Sequence, residues 1–101
     1  MKRIALVIQY DGTFFSGWQK QDNAITVQES LEKALLKISN NKIHTFAAGR
    51  TDSGVHASGQ VVHFDIDCLI PANSIAKVLN GLLPSTIRVL ESVEVTHSWH
   101  A

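Results

Sequence analysis

A helix that begins at Thr26 is the feature that most constrains how this chain can fold. Thr26 and Glu29 have the spacing of a capping box, in which a hydroxyl and a carboxylate satisfy backbone N–H groups at a helix start. The apolar residues that follow recur at helical spacing on one face, namely Val27, Leu31, Ala34, Leu35 and Ile38. Glu29 and Lys33 form an i,i+4 pair on the opposite side, and Ser39-Asn40-Asn41 ends the helix. We therefore interpret this helix as a structural element that buries one face.

Four segments show the two-residue alternation that is typical of β-strands: residues 3–10, 44–50, 58–66 and 87–95. The first is apolar on both sides, which predicts a central position in a sheet. In the second, Phe46 and Ala48 point one way and Thr45 and Ala47 the other. In the third, one face consists of Val62, Phe64 and Ile66, and the other of Val61, His63 and Asp65. In the last, one parity consists of Ile87, Val89, Val93 and Val95.

A second helix is predicted between the third and fourth strands. Asn73 or Ser74 can cap it, and Pro84 ends it. Its apolar stripe consists of Ile75, Val78, Leu79 and Leu82. The element order is then β-α-β-β-α-β, which predicts an α+β, ferredoxin-like fold: a four-stranded, antiparallel-type sheet with both helices on one face.

A polar turn punctuated by Gly49 and Gly54 joins the second and third strands. It contains a cation, Arg50, and a carboxylate, Asp52, two positions apart. In an extended segment these side chains lie on the same side, where Arg50 can hold Asp52 ionised. An Arg-x-Asp pair in a turn is also common as a purely structural salt bridge, so the pair alone does not establish a catalytic site.

Residues 14–23 lack a regular period and are interpreted as a loop. Its aromatic residues, Phe14, Phe15 and Trp18, are expected to pack mostly inward as a lid over the core. Its polar residues, Gln19, Lys20 and Gln21, are the better candidates for contacts with a ligand.

The composition narrows the remaining classes. The 101 residues suffice for one domain, and the charged fraction of 18% suits a soluble globular protein. No apolar run reaches the roughly 20 residues of a membrane span. The single cysteine, Cys68, cannot form an internal disulfide, which fits a cytoplasmic protein. His56 and His63 lack the spacing of a metal site, so no metal is expected.

The central segment, Gly49-Arg50-Thr51-Asp52-Ser53-Gly54-Val55-His56-Ala57, resembles the catalytic segment of the TruA-type tRNA pseudouridine synthases without a gap. Further stretches fall in the order and approximate spacing of that family, namely Tyr10-Asp11-Gly12-Thr13, Gly17-Trp18-Gln19-Lys20-Gln21, Thr26-Val27-Gln28 and Leu79-Asn80-x-Leu82-Leu83-Pro84. Together they cover nearly the whole chain. We therefore identify the chain as a member of this family.

The resemblance implies a reaction without a cofactor, the isomerisation of uridine to pseudouridine in the tRNA anticodon stem-loop. It implies that Asp52 is the catalytic residue, supported by Arg50, Thr51 and His56, and that Arg50 contacts the RNA together with Gln19, Lys20 and Gln21. Whether Asp52 attacks the sugar, attacks the base or removes a ribose proton is left open by the sequence. The expected partners are tRNA and a second subunit in a homodimer.

The family continues into a second, similar domain that carries an active-site tyrosine. Tyr10 is the only tyrosine here and belongs to the first strand, so we expect residues 1–101 to be the N-terminal domain of a longer enzyme, inactive or incomplete by itself. The net charge of zero also argues against a complete RNA binder. The alternative interpretation is a non-catalytic RNA-binding or dimerisation module with the same ferredoxin-like fold.

Overall fold

In the computed structural model, a four-stranded antiparallel sheet packs against two helices. The structure describes residues 1–10, 26–48 and 57–99. The strands are β1 (Lys2–Tyr10), β2 (Phe46–Ala47), β3 (Ala57–Ile66) and β4 (Ile87–Val95), and the helices are α1 (Val27–Ser39) and α2 (Ile75–Leu82). The order across the sheet is β2-β3-β1-β4, and every neighbouring pair is antiparallel. The predicted element order and fold class are confirmed, although β2 is shorter than expected.

The core lies between the helices and one face of the sheet. The even-numbered residues of β1 and β3 point into it, and Ile4, Leu6, Val62 and Phe64 are fully buried there. Both helices contribute to the same apolar cluster, α1 chiefly through Leu31 and Leu35 and α2 through Ile75 and Leu79. The two helices therefore cover a single face of the sheet, as predicted, and leave the other face without a helix. Neither described helix is long and apolar enough to cross a membrane.

The ends of α1 follow the sequence signals closely. Thr26 is its N-cap, and the Thr26 hydroxyl accepts a hydrogen bond from the Glu29 N–H at 3.3 Å. Asn40 adopts the left-handed conformation with φ 59°, and its N–H bonds the Leu36 carbonyl at 2.8 Å. A left-handed residue after the last turn is a common way to end a helix, and asparagine tolerates it.

Ser74 occupies the N-cap position of α2 and is one of the two residues predicted for it, but the helix start is satisfied in another way. A 3₁₀ turn, Ala72–Ser74, precedes the helix, and Ser74 makes no side-chain capping bond. The Ala76 N–H instead donates to the hydroxyl of Ser92 on β4 at 2.9 Å, and that hydroxyl donates to the Ala72 carbonyl at 2.6 Å. The first turn of α2 is thus satisfied by a strand distant in sequence. The predicted stripe is also narrower than expected, because Leu82 is 40% exposed.

A β-bulge reverses the faces of β4, which the sequence pattern did not anticipate. Val89 pairs with Ile8 whereas Glu91 pairs with Val7, so Leu90 is an extra residue in β4. Ile87 and Val89 are consequently buried against the helices, whereas Val93 lies beside Ala5 on the open face and is 46% exposed. The predicted common parity of Ile87, Val89, Val93 and Val95 is therefore wrong.

Candidate active site

The seven residues predicted to act on a substrate lie outside the described part of the chain. They are Gln19, Lys20, Gln21, Arg50, Thr51, Asp52 and His56. The loop aromatics Phe14, Phe15 and Trp18 lie outside it as well. The structure does describe the backbone from which residues 11–25 and 49–56 leave the sheet and to which residues 49–56 return.

Both of these segments leave the sheet at the same end. β1 ends at Tyr10, whose Cα partners are Ala57, where β3 begins, and Ile87, where β4 begins. β2 also runs towards this end. Directly after β2, the Ala48 N–H donates to the Val61 carbonyl at 2.9 Å. We call the end of the sheet at Tyr10, Ala57 and Ile87 the loop end. There the residue that precedes one segment, Tyr10, pairs with the residue that follows the other, Ala57, and these two segments carry all the predicted site residues.

Helix α1 holds the strand that leads to the loop end. The Glu32 Oε2 accepts hydrogen bonds from the Thr45 N–H and the Thr45 hydroxyl, both at 2.9 Å. The Gln28 side chain donates to the Thr45 carbonyl at 3.0 Å. Thr45 is 1% exposed and immediately precedes β2. We call Gln28, Glu32 and Thr45 the α1 clamp.

An aromatic cluster lies on the open face beside β2. The rings of Phe46 and its cross-strand partner His63 are stacked, with centroids 5.1 Å apart. His44 meets Phe46 edge-on at 4.7 Å, and Trp99 meets His63 edge-on at 5.8 Å. His63 is buried whereas Phe46 is 51% exposed. An exposed aromatic ring held by a second ring is a surface on which a nucleic-acid base can stack.

The sequence analysis did not single out this cluster. Phe64, which shares its predicted face with Val62 and Ile66, is buried in the core and does not belong to the cluster. No sequence pattern gave this arrangement, because Phe46 lies on the open face only through the register that pairs it with His63.

A cross-strand ion pair fixes the carboxyl-terminal turn on the same face. The guanidinium of Arg3 contacts both carboxylate oxygens of Asp65, at 2.8 and 3.1 Å, and donates to the Trp99 carbonyl at 2.7 Å. The hydrogen bond from Arg3 lowers the pKa of Asp65, with the positive charge of Arg3 contributing in the same direction. The Arg3–Asp65 pair thereby helps to hold Trp99 next to His63.

Among the residues that the structure describes, no group of three or more histidine, cysteine, aspartate or glutamate side chains is arranged to hold a metal ion. Cys68 is a free thiol.

Comparisons with known proteins show which family this chain is similar to. The family described as tRNA pseudouridine synthase matches residues 6–101. A protein named tRNA pseudouridine synthase A from Prochlorococcus marinus (strain AS9601) is 73% identical over all 101 residues, which cover 38% of its own length. The protein of the same name from Prochlorococcus marinus (strain MIT 9312) is 71% identical over all 101 residues, which cover 38% of its length. The one from Synechococcus sp. (strain CC9605) is 57% identical, with 35% of its length covered.

The chain thus spans little more than a third of the length of these relatives. In the other direction, the relatives match the whole of this chain, and the family model matches nearly all of it. On this evidence, the chain belongs to the tRNA pseudouridine synthase family.

Proposed function

We propose that residues 1–101 form the N-terminal, aspartate-bearing domain of a two-domain tRNA pseudouridine synthase. The observation that carries the proposal is the 73% identity to a protein named tRNA pseudouridine synthase A over the entire chain, including the Gly49–Ala57 motif region. The common origin of residues 11–25 and 49–56 at the loop end supports it, because the proposed RNA contacts and the proposed nucleophile leave the sheet together.

The proposed reaction isomerises uridine in the tRNA anticodon stem-loop without a cofactor. The bond between ribose C1′ and N1 of the base breaks, the base turns, and a bond between C1′ and C5 forms. The hydrogen at C5 leaves as a proton, and N1 gains one. Asp52 acts as the nucleophile, as carboxylates do at sugar carbons in other enzymes.

Each of the other predicted site residues has a part in this proposal. Arg50 keeps Asp52 charged and fills the space that the extruded base leaves, since extrusion costs a few kcal/mol. Thr51 and His56 support the turn, and Gln19, Lys20 and Gln21 contact the tRNA. The complete enzyme works in the cytoplasm as a homodimer.

A tritium-release assay tests the proposal. Residues 1–101 replace the matching part of the Prochlorococcus marinus (strain AS9601) relative, and we call the product the hybrid enzyme. With tRNA that carries 5-tritiated uridine, the hybrid enzyme is expected to release tritium and to form pseudouridine in the anticodon stem-loop. The 101-residue chain alone is expected to release none, because it spans only 38% of that relative's length. A hybrid enzyme that folds and binds tRNA but forms no pseudouridine would contradict the proposed activity.

The aromatic cluster favours a second candidate function, RNA binding by this domain without catalysis. Phe46 is half exposed and braced by His63, so it can stack on a base. In the hybrid enzyme, Phe46→Ala is expected to weaken tRNA binding about tenfold, the loss of one stacked base. Leu69→Ala, which removes a fully exposed apolar side chain elsewhere, is the matched control and is expected to change nothing. Equal affinities of the two variants would exclude this role.

A further inference from the structure

We propose that Glu32 is a positioning residue, which holds the start of β2 and thereby fixes one end of the segment that carries Asp52. The inference rests on the function proposed above for Asp52. It concerns a residue whose side chain lies on a helix, outside the predicted site, and to which the sequence analysis gave no role.

The first observation is how completely α1 binds Thr45. The N–H, the carbonyl and the hydroxyl of Thr45 all bond to α1 side chains, at distances between 2.9 and 3.0 Å. Gln28 and Glu32 are four residues apart and therefore lie on the same side of the helix. A helix anchored in the core by Leu31 and Leu35 thus carries two polar side chains that grip one residue.

The second observation is the burial of a charge. The Glu32 side chain is only 10% exposed, and placing a carboxylate there is costly unless its oxygens are hydrogen-bonded. The two bonds from Thr45 provide that compensation. The His44 ring nitrogen lies 3.7 Å from the same oxygen, on a side chain that is largely exposed. A buried carboxylate that grips a backbone N–H holds it more firmly than a neutral acceptor would.

The third observation is the weakness of β2 without this grip. β2 contains two residues and lies at the edge of the sheet, paired with β3 alone. So short an edge strand has few ladder bonds to fix it. From Thr45 the chain passes through Phe46, Ala47 and Ala48 directly into residues 49–56. The α1 clamp on one side of β2 and β3 on the other are the described tethers of this segment.

Positioning matters because a reacting group displaced by about 1 Å can lose on the order of 100-fold in rate. Glu32→Ala removes the acceptor for two Thr45 donors and should let the start of β2 shift. Glu32→Gln keeps an oxygen at the same place and should retain most of the grip. Glu29→Ala is the matched control, because it removes the same carboxylate one turn earlier, where it contacts only the exposed Lys33 in the described contacts.

The test measures kcat and KM for tRNA in the hybrid enzyme, well below the unfolding temperature of each variant. Glu32→Ala is expected to lower kcat roughly tenfold or more and to change KM less, since Asp52 and Arg50 are misplaced whereas the proposed RNA contacts Gln19, Lys20 and Gln21 belong to another segment. Glu32→Gln is expected to restore most of kcat, and Glu29→Ala to leave it unchanged. Ile75→Val, which weakens the core at α2, controls for lost stability and should keep full kcat.

A second readout needs no activity. In the 101-residue chain, hydrogen exchange of the Ala48 N–H, which bonds the Val61 carbonyl, is expected to accelerate in Glu32→Ala and not in Glu29→Ala or Ile75→Val. Unchanged exchange, or a kcat for Glu32→Ala equal to that of Ile75→Val, would overturn the positioning role and leave the proposed function standing. Full activity in Asp52→Ala would instead overturn the proposed function, and the exchange measurement would still decide whether Glu32 fixes β2.

Discussion

The two helices hold the two edges of the sheet in different ways. The α1 clamp uses a buried carboxylate and an amide to grip Thr45 beside β2. Helix α2 uses the neutral Asn80, whose side chain donates to the Val89 carbonyl and accepts from the Val89 N–H at 2.9 and 2.8 Å. A charged, buried grip therefore serves the short strand, and a neutral, partly buried one serves the long strand.

The difference follows from the number of residues through which each edge strand pairs with its neighbour. β4 pairs with β1 through all of its nine residues except the bulge residue Leu90, so its place in the sheet does not depend on Asn80. Asn80 instead satisfies the edge of β4 at Val89, next to the bulge, where a free N–H and carbonyl would invite another strand. β2 has two paired residues and depends on α1. The strand that leads into the segment of the proposed nucleophile is thus fixed more by the side chains of α1 than by its pairing with β3.

The largest loss of stability is expected for Glu32→Ala. It leaves two buried donors of Thr45 without their charged acceptor, which should lower the free energy of unfolding by about 3 kcal/mol. Urea denaturation of the 101-residue chain measures this, with Glu29→Ala, expected to cost about 0.5 kcal/mol, as the control. Equal midpoints for the two variants would show that the α1 clamp contributes no more than a surface ion pair.

A smaller loss is expected for Asn80→Ala. Two neutral hydrogen bonds of about 1 kcal/mol each are removed, and water can partly replace them because the site is only partly buried. Asn73→Ala removes the same amide from an exposed position and should be neutral. Measured in the same titration, Asn80→Ala should fall between Asn73→Ala and Glu32→Ala. A loss greater than that of Glu32→Ala would reverse the comparison between the two edges.

The smallest effect is expected for Asp65→Asn on the open face, and it depends on pH. Because the pKa of Asp65 is lowered in the folded protein, the ionised carboxylate stabilises the fold above its ordinary pKa. That contribution is lost as the pH falls below about 4 towards the lowered value. The stability difference between the unsubstituted protein and Asp65→Asn should therefore shrink in acid. A difference that stays constant from neutral to acidic pH would exclude a contribution from the ion pair.

Local signals accounted for much of the fold. The cap at Thr26, the end of α1 at Ser39-Asn40-Asn41 and the common face of Val62, Phe64 and Ile66 all depend on residues within one helical turn or one strand, and all were predicted correctly. The motif that contains Gln28 was recognised from the sequence, and the structure adds a physical reason for that residue, its bond to the Thr45 carbonyl.

Contacts between distant residues were not predictable in this way. Ser92 on β4 accepts a hydrogen bond from the first turn of α2, and the bulge at Leu90 reverses the faces of β4. No local sequence pattern marks either feature. In the sequence, nothing distinguishes Glu32 from an ordinary helix-surface residue. Its role depends on the contact with Thr45, a residue that follows the helix. The seven predicted site residues lie outside the described part of the chain.

The most direct test of the whole account is single-turnover tritium release by the hybrid enzyme carrying Asp52→Asn, with tRNA affinity measured in parallel. The substitution keeps the size of the side chain and removes its charge and nucleophilicity. We expect tRNA binding to be retained and tritium release to be abolished. Release at the rate of the unsubstituted hybrid enzyme, by a protein that is folded and binds tRNA, would contradict the assignment of Asp52 as the nucleophile.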